Sequence, residues 1–327
     1  YADGVMKEHE WVRSQAGLFD VSHMGQVIVS GAGVAGFFEK VTPSAFQKMT
    51  HGRAKYTVMT NEKGGIIDDL IVTRMEDDKF FAVLNAATAE KDMAHLKAQA
   101  SPEITFDFLE GRGLIALQGE KAEQVLRELF GIDASGQPYM TMEPKTLSGD
   151  TDIFVSRLGY TGEDGFELSV PEDKTPEIWR KLLTHDAVKP IGLAARDSLR
   201  LEMGYPLYGH DIDDNTTPVE ASLGWVMGKN NDGFIGADVV LPQKENGADR
   251  VRIGLKLLDK GVAREGALIL DKDGNEIGTM TSGTFSPTLK EAIGMAYVPG
   301  EFAQTGTKSD VAVRGRTIGG EVCDVPC

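Results

Sequence analysis

The chain has 327 residues, with 34 Lys and Arg against 50 Asp and Glu, which gives a formal net charge of −16. This length predicts roughly two or three domains, and the ordinary hydrophobic share with scattered Gly and Pro excludes fibrous, collagen-like and low-complexity proteins. The acidic balance argues against nucleic acid as a partner, because an anionic surface repels a phosphate backbone.

Alternating strands and helices are predicted over the first two thirds of the chain. The expected strands are 26–30, 54–60, 70–75, 79–84, 114–118, 153–157 and 165–170, and the expected helices are 89–100, 121–130, 176–183 and 192–202. Strand pairs followed by a helix occur twice, which indicates two α+β units. After about Arg250 only short strands are predicted, at 253–257, 267–270, 276–281, 293–298 and 311–313, and this spacing is typical of a small β-sandwich or β-barrel.

Neither a membrane partner nor a membrane span is expected. No run approaches the ~20 apolar residues that a bilayer span needs, and no basic-then-apolar leader opens the chain. The first residue is Tyr1 rather than Met, so we expect a preceding segment to have been removed or left out. The expected location is the cytoplasm of a bacterium or the mitochondrial matrix.

Metal and disulfide sites are not predicted. The two cysteines, Cys323 and Cys327, are spaced as in neither a zinc knuckle nor a redox C-x-x-C motif, so the expectation is a reducing compartment and no disulfide framework. The six histidines are dispersed, with no H-x-x-x-H pair that could face a metal from one helix turn.

Two short patterns imitate ligand loops. Residues 31–36 form a literal G-x-G-x-x-G, but Pro43 shortens the helix that follows, and Tyr56 stands about 20 residues on, where a dinucleotide fold needs an acid. A simple loop and helix start is therefore favoured over a nucleotide site. Residues 271–275 resemble the start of a calcium loop, yet Ser282 occupies the place of the bidentate Glu, which favours a hairpin turn.

Two adjacent acids, Asp68 and Asp69, interrupt an apolar run that otherwise indicates a buried strand. In extended chain they point to opposite faces, so at most one shares the inward side. A carboxylate beside apolar side chains has a raised pKa and suits proton transfer or the binding of an amine. The alternative is a glycine-led turn with two solvated acids.

Two further segments carry polar groups where a ligand could bind. The glycine-rich turn 157–167 places Glu167 at the start of an apolar strand, where a buried acid needs a partner; the alternative is a decorated hairpin. In the predicted helix 192–202, Arg196 and Arg200 project from one face and could bind a carboxylate ligand, or they could pair with Asp197 and Glu202.

Taken together, these segments strongly resemble the aminomethyltransferase, or T-protein, family of the glycine cleavage system. The resemblance is collinear over nearly the whole chain and rests on LFDVSHMG (18–25), NEKGGIIDDLIVTR (61–74), VLNAAT (83–88), LQGEKA (117–122), GYTGEDGFELSVP (159–171), GLAARDSLRLEMGYPLYGHDID (192–213), TTPVEASLGWVMG (216–228) and IGTMTSGTFSPTL (277–289).

The resemblance implies a three-lobed ring with folate in a central channel. The implied lobes are an α+β lobe of residues 1–25 and 110–200, a second α+β lobe of residues 26–109 and 201–250, and a C-terminal β-barrel of residues 251–327. Members of the family begin roughly forty residues before the position of Tyr1, so the resemblance also implies that part of the first lobe is missing.

The implied activity is one-carbon transfer. In the family, tetrahydrofolate accepts a methylene from an aminomethyl group on the lipoyl arm of the H-protein, and ammonia is released. Asp69 matches the catalytic aspartate. Positions of the folate channel, or their close neighbours, are matched by Met24, Tyr56, Asn85, Tyr160, Glu167, Arg196 and Trp225.

Two other functions remain open within this fold. Methyl-transferring and demethylating relatives keep the folate channel and change the donor pocket. A non-enzymatic folate-binding branch serves iron–sulfur assembly and carries a cysteine in a K-G-C-Y-x-G-Q-E segment, whereas this chain has no cysteine before Cys323. Tetrahydrofolate is the cofactor implied in each case, and lipoylated H-protein is the partner implied for the T-protein activity.

Overall fold

The computed structural model describes residues 1–327, and these divide into two compact units. The first unit contains Tyr1–Met59, Asp68–Ala195 and Gly228–Phe234, and the second contains Thr60–Ile67, Arg196–Met227 and Ile235–Cys327. None of the helices is both long enough and apolar enough to cross a bilayer.

The secondary structure is mixed. The helices are α1 (Val5–Ser14), α2 (Val34–Val41), α3 (Ala89–Gln99), α4 (Ala122–Phe130), α5 (Thr175–Leu182), α6 (Leu193–Glu202) and α7 (Ala237–Asn246). The strands before the barrel are β1 (Ala16–Asp20), β2 (Gly25–Ser30), β3 (Ala54–Thr60), β4 (Ile66–Glu76), β5 (Lys79–Leu84), β6 (Thr105–Phe108), β7 (Arg112–Gln118), β8 (Thr141–Leu147), β9 (Thr151–Arg157), β10 (Gly165–Pro171) and β11 (Val188–Pro190). Those of the barrel are β12 (Arg250–Leu257), β13 (Leu268–Leu270), β14 (Glu276–Ser286), β15 (Glu291–Pro299), β16 (Lys308–Val313) and β17 (Arg316–Cys323).

A six-stranded sheet, in the order β11-β1-β7-β10-β9-β8, forms one layer of the first unit. Its strands pair antiparallel except for β1 with β11, which run parallel. Helices α4 and α5 cover one face and bury a core that includes Leu117, Leu126 and Phe166. This core follows from the period-2 apolar pattern of the strands and the apolar stripe of each helix.

A five-stranded sheet, in the order β3-β4-β5-β2-β6, positions the two acids. At one end of its three middle strands, Gly25 of β2 and Leu70 of β4 both pair with Leu84 of β5. Helix α2 packs on this sheet through Phe38, whose ring centroid lies 5.4 Å from that of Phe80. The sheet therefore has a firm apolar base and a defined register at the end where β5 stops.

The C-terminal strands β12-β15-β14-β13-β16-β17 close into a barrel, because β12 pairs with both β15 and β17. Side chains such as Leu255, Ile269 and Val311 fill its interior. The expected α+β fold with a small C-terminal β-barrel is confirmed. The division of the chain into three lobes, with the boundaries given above, stays a prediction.

The expectation of no disulfide is wrong for the structure, which joins Cys323 to Cys327 with a Cα–Cα distance of 5.3 Å. Spacing alone did not show that the chain turns back directly after β17. Within this turn Val325 packs against Gly204 and Gly254, where an added Cβ would lie 1.4 and 2.8 Å from its side chain. Both positions therefore require glycine because of a close approach.

The two segments that resemble ligand-binding loops, 31–36 and 271–275, form a loop with a helix start and a hairpin turn, as predicted. Gly31 and Gly33 precede α2, a helix of 8 residues, and Gly36 lies within it. In the segment 271–275, the Asp271 carboxylate accepts hydrogen bonds from the backbone N–H groups of Asp273 and Asn275, at 2.9 and 2.8 Å, within the β13–β14 turn. Both segments are explained by local structure.

Candidate functional site

Three of the predicted site residues lie side by side at the end of the five-stranded sheet. Asp69, Asn85 and Met24 each stand one position beyond the paired row Leu70–Leu84–Gly25. This register brings together one residue of β4, the residue after β5 and the residue before β2, although they are far apart in sequence. All three residues are half-buried.

The Asp69 carboxylate is held by two neutral donors. Tyr56 Oη donates to Oδ2 at 2.8 Å, and Asn85 Nδ2 donates to Oδ1 at 2.7 Å. Desolvation, followed by the nearby charge of Asp68, raises the pKa of Asp69 to about 7, and these two hydrogen bonds lower it by less. At neutral pH the group therefore exists in both protonation states, as a residue that accepts and returns a proton requires.

Asp68 lies on the opposite face of β4, with Leu70 and Val72, and is fully buried. The alternation of the two acids predicted from the sequence is confirmed, but neither acid is solvated as the turn alternative required. The faces nevertheless converge at the strand end, because Asn85 Nδ2 also donates to Asp68 Oδ1 at 2.7 Å. Thr88 Oγ1 donates to the other oxygen, Oδ2, at 2.6 Å.

A third acid, Asp92, completes a buried cluster behind Asp69. It lies in the first turn of α3, is 0% exposed, and neither of its oxygens accepts a hydrogen bond. Burial and contact with the Asp68 carboxyl raise the pKa of Asp92 far above its ordinary value, more than Lys91 and Thr88 lower it. We call Asp68, Asp69 and Asp92 the acidic cluster. No group of three or more His, Cys, Asp or Glu side chains in the chain is arranged to hold a metal.

The turn 61–65 explains how the chain enters β4. The Asn61 side-chain oxygen accepts hydrogen bonds from the backbone of Lys63 and Gly65, at 3.0 and 2.9 Å, and Gly64 has a φ of 78°. A Cβ on Gly65 would lie 1.7 Å from the carbonyl oxygen of Asp214. The glycines of the predicted site motif therefore shape the turn that sets where β4 begins.

Tyr160 and Glu167 lie on the six-stranded sheet, at the β9–β10 connection and on β10, and both are half-buried. The buried Gln118 side chain holds this connection closed. Its Nε2 donates to the Leu158 carbonyl at 3.0 Å, and its Oε1 accepts from Thr161 Oγ1 at 2.8 Å. The glycine-rich hairpin is thus a rigid support for Tyr160 and Glu167.

Arg196 and Trp225 belong to the second unit. Arg196 is half-buried on α6, and Trp225 lies on a 3₁₀ turn with 68% of its surface exposed. Arg200, on the same helix, pairs with Asp197 at 2.8 Å, and also with the fully buried Asp211 at 2.7 Å. The ion-pair alternative is therefore confirmed for Arg200 with Asp197.

Glu202, the other acid proposed to pair with an arginine of that helix, accepts hydrogen bonds from residues of the barrel. It accepts hydrogen bonds from Thr288 and from Ser286, at 2.9 and 2.5 Å for the hydroxyl groups. These contacts tie the end of α6 to β14 and to the residues that follow it.

Comparison with known proteins identifies the family. The profile described as "GCVT N-terminal domain" matches residues 1–231, and that described as "Glycine cleavage T-protein C-terminal barrel domain" matches residues 250–327. The chain belongs to the glycine cleavage T-protein family.

Relatives of known name agree with this assignment. The mitochondrial aminomethyltransferase of Dictyostelium discoideum is 41% identical over 100% of this chain and 85% of its own length. The aminomethyltransferase of Halothermothrix orenii is 40% identical over 98% and 91%. The crystal structure of glycine cleavage system aminomethyltransferase T from Bartonella henselae superposes with a TM-score of 0.94 at 39% identity, covering 100% of this chain and 90% of that one.

The T-protein family makes this chain an aminomethyltransferase of the glycine cleavage system, and hence a transferase. The structure brings Tyr56 and Asn85 into contact with Asp69 and places Met24 at the same end of the sheet. Tyr160 lies in the β9–β10 connection, and Glu167, Arg196 and Trp225 lie on other elements. Sequence reasoning missed Thr88 and Asp92. The signal for Asp92 is that it stands four residues before the buried Leu96, so an acid occupies the apolar face of α3.

Proposed function

We propose that this chain moves a methylene group from aminomethyl-lipoyl H-protein to tetrahydrofolate with release of ammonia. The bonds from the methylene carbon to the lipoyl sulfur and to the amine nitrogen break, and two bonds to folate nitrogens form. The two protons displaced from the folate nitrogens end on ammonia and on the lipoyl thiol, so the exchange needs no oxidant. Tetrahydrofolate supplies the nucleophilic nitrogens.

The main support for this proposal is the raised pKa of Asp69 together with its hydrogen bonds. A half-buried carboxylate with a pKa of about 7 and only neutral hydrogen-bond donors keeps affinity for a cationic amine. In its charged form Asp69 orients the amine of the donor, and it takes up or returns a proton as ammonia departs. Tyr56 and Asn85 fix the positions of its two oxygens, which limits the directions in which a proton can pass.

The residues matched to the folate channel suit a pterin and a glutamate tail. The pterin carries amino and ring N–H donors, and the half-buried Glu167 supplies a carboxylate acceptor. The exposed indole of Trp225 offers an aromatic face for stacking. Arg196 supplies positive charge for a folate carboxylate. These roles, and those of Met24 and Tyr160 as neighbours of the bound folate, are part of the proposal.

The proposed partner is the lipoylated H-protein. Membership of the glycine cleavage T-protein family and the chemistry of Asp69 support this proposal, since the donor must bring an amine bound through one carbon to a leaving group. A flexible lipoyl arm allows such a donor to enter a site built on a rigid sheet edge.

A donor comparison tests the function. Purified enzyme with tetrahydrofolate is offered either aminomethylated lipoyl H-protein or a methylated sulfonium compound, and ammonia and methylene-tetrahydrofolate are measured. We expect turnover with the aminomethyl donor and none with the sulfonium donor. Methyl transfer from the sulfonium compound, or folate binding without any turnover, would overturn the proposal.

A further inference from the structure

The position of Asp92 poses a physical problem. Its carboxyl group is fully buried, and neither oxygen accepts a hydrogen bond from any N–H or O–H donor of the protein. An ionised carboxylate left in this state would lose its hydration without replacement, which is unfavourable. The neighbouring polar groups are the Thr88 hydroxyl, whose proton is donated to Asp68, and the Asp68 carboxyl, an acceptor of the same kind. Only a proton between the two carboxyl groups turns their contact into a hydrogen bond.

We propose that Asp68 and Asp92 hold a single shared proton and act together, through Asn85, as positioning residues for Asp69. This inference rests on the proposed function, because it assigns a role in the reaction of Asp69. The pair then carries one negative charge, located mainly on Asp68, which already receives hydrogen bonds from Asn85 and Thr88 at 2.7 and 2.6 Å.

Asn85 is the connection between the pair and Asp69. Its one amide nitrogen donates to Asp68 Oδ1 and to Asp69 Oδ1, both at 2.7 Å, so both amide protons are engaged by carboxylates. This arrangement fixes which end of the amide faces the acids. The side chain cannot rotate without breaking both bonds. Asp68 therefore orients Asn85, and Asn85 orients Asp69.

The charge of the pair acts on Asp69 as well. The negative charge of Asp68 raises the pKa of Asp69, second only to desolvation. The other titratable groups around the cluster are Tyr56, which donates to Asp69 from β3, and Lys91 on α3, which lowers the pKa of Asp92 slightly. The amino end of α3 also favours a charged Asp92. Burial and Asp68 outweigh both, so Asp92 is the member that retains the proton.

Two substitutions separate the charges. Asp68→Asn removes a negative charge beside Asp69, so the acidic limb of kcat/KM against pH should move to lower pH, by about 1 unit. Asp92→Asn replaces a protonated acid with an amide that still donates to Asp68, so the limb should keep its position. Asp78→Asn, in the exposed β4–β5 turn, is the matched control for loss of one carboxylate from the same strand pair.

These outcomes differ from those expected if the two acids had a purely structural role. In that case the substitutions would change stability, and the acidic limb of the kcat/KM profile would stay at the same pH in every variant. If the acidic limb of kcat/KM moved by the same pH interval in Asp92→Asn and in Asp68→Asn, Asp92 would be ionised. A limb unmoved by Asp68→Asn would show that Asp68 does not act on Asp69. Either result overturns the proposal.

A second measurement needs no activity and so separates this proposal from the proposed function. A buried acid with a raised pKa binds a proton in the folded state that the unfolded chain releases, so its contribution to stability falls as pH rises through neutrality. The urea midpoint of the wild type should therefore fall relative to that of Asp92→Asn between about pH 5 and pH 8. Parallel curves would overturn the shared proton even if the enzyme transfers aminomethyl groups as proposed.

Discussion

Two of the places where the protein buries carboxylates stabilise them in opposite ways. In the second unit, Asp211 accepts hydrogen bonds from the Arg200 guanidinium at 2.7 Å, from the hydroxyls of Thr281 and Ser282, and from one backbone N–H. In the acidic cluster of the first unit, the donors to Asp68 and Asp69 are an amide and two hydroxyls, all of them neutral.

This difference separates a structural carboxylate from a reactive one. A buried acid paired with arginine has its charge compensated and contributes to a fixed arrangement of α6 and the barrel strands. Asp69, which is desolvated and has only neutral donors, keeps a raised pKa and can exchange a proton at neutral pH. The stable scaffold and the reactive group can therefore be altered independently, and substitutions in the two places should have separable effects.

The largest expected effect comes from Asp69→Asn. The amide keeps the size of the side chain and removes the charge and the basic oxygen, so turnover of the aminomethyl donor should fall roughly 10²–10⁴-fold. Thermal stability should be kept or slightly raised, because a desolvated charge beside Asp68 is lost. Steady-state assay and a thermal melt check the two effects, and near-full turnover would remove Asp69 from the reaction.

Arg200→Met should show the reverse. It leaves Asp211 buried without its cation, which lowers the free energy of unfolding by about 3–5 kcal/mol. Urea unfolding at neutral pH measures this loss, and turnover per folded molecule should change little because the guanidinium binds Asp197, Asp211, Ser282 and the Tyr205 carbonyl of the second unit. A stability equal to that of the wild type would show that the pair is not the support described here.

Glu167→Ala tests a carboxylate whose proposed role is binding. If Glu167 accepts hydrogen bonds from the pterin, its loss weakens tetrahydrofolate binding by about 1–3 kcal/mol with little change in the fold. Isothermal calorimetry measures the affinity. Unchanged binding by a folded variant would exclude Glu167 from the folate site.

The smallest expected effect belongs to Tyr56→Phe. The Tyr56 hydroxyl donates to the ionised form of Asp69 and so lowers its pKa. Removing the hydroxyl should raise that pKa by about 0.5–1 unit, so activity is lost mainly below pH 8 and recovers above it. The pH profile of kcat/KM checks the sign, which is opposite to that expected for Asp68→Asn.

The sequence predicted much of the fold because local patterns agree with the tertiary structure. Strands β3 and β5 have the predicted bounds, and the short strands after Arg250 form the expected barrel. Helix α1 was not predicted because two of its three buried residues, Glu8 and His9, are polar and hide the apolar period. Helix α7 contains Pro242, which argues against a helix in any local analysis.

The site was predictable only in part, because local sequence patterns do not show contacts between residues that are far apart in the chain. Strand alternation separates Asp68 from Asp69, and the family resemblance selects Tyr56 and Asn85. Asp68 lies on β4 and Asp92 on α3, and β5 separates these two elements in the chain. No local sequence pattern therefore predicts the contact between the two acids. The raised pKa of Asp69 depends on desolvation by the tertiary structure and on the charge of Asp68.

The most direct test is a titration of Asp69 itself in the full chain. Carbon-13 NMR of protein labelled at the aspartate carboxyl carbon, with the Asp69 signal assigned by its absence in Asp69→Asn, follows this one group against pH. We predict a midpoint near 7, the pKa to which desolvation and the charge of Asp68 raise Asp69. A midpoint near 4, the ordinary value for a solvated aspartate, would contradict it.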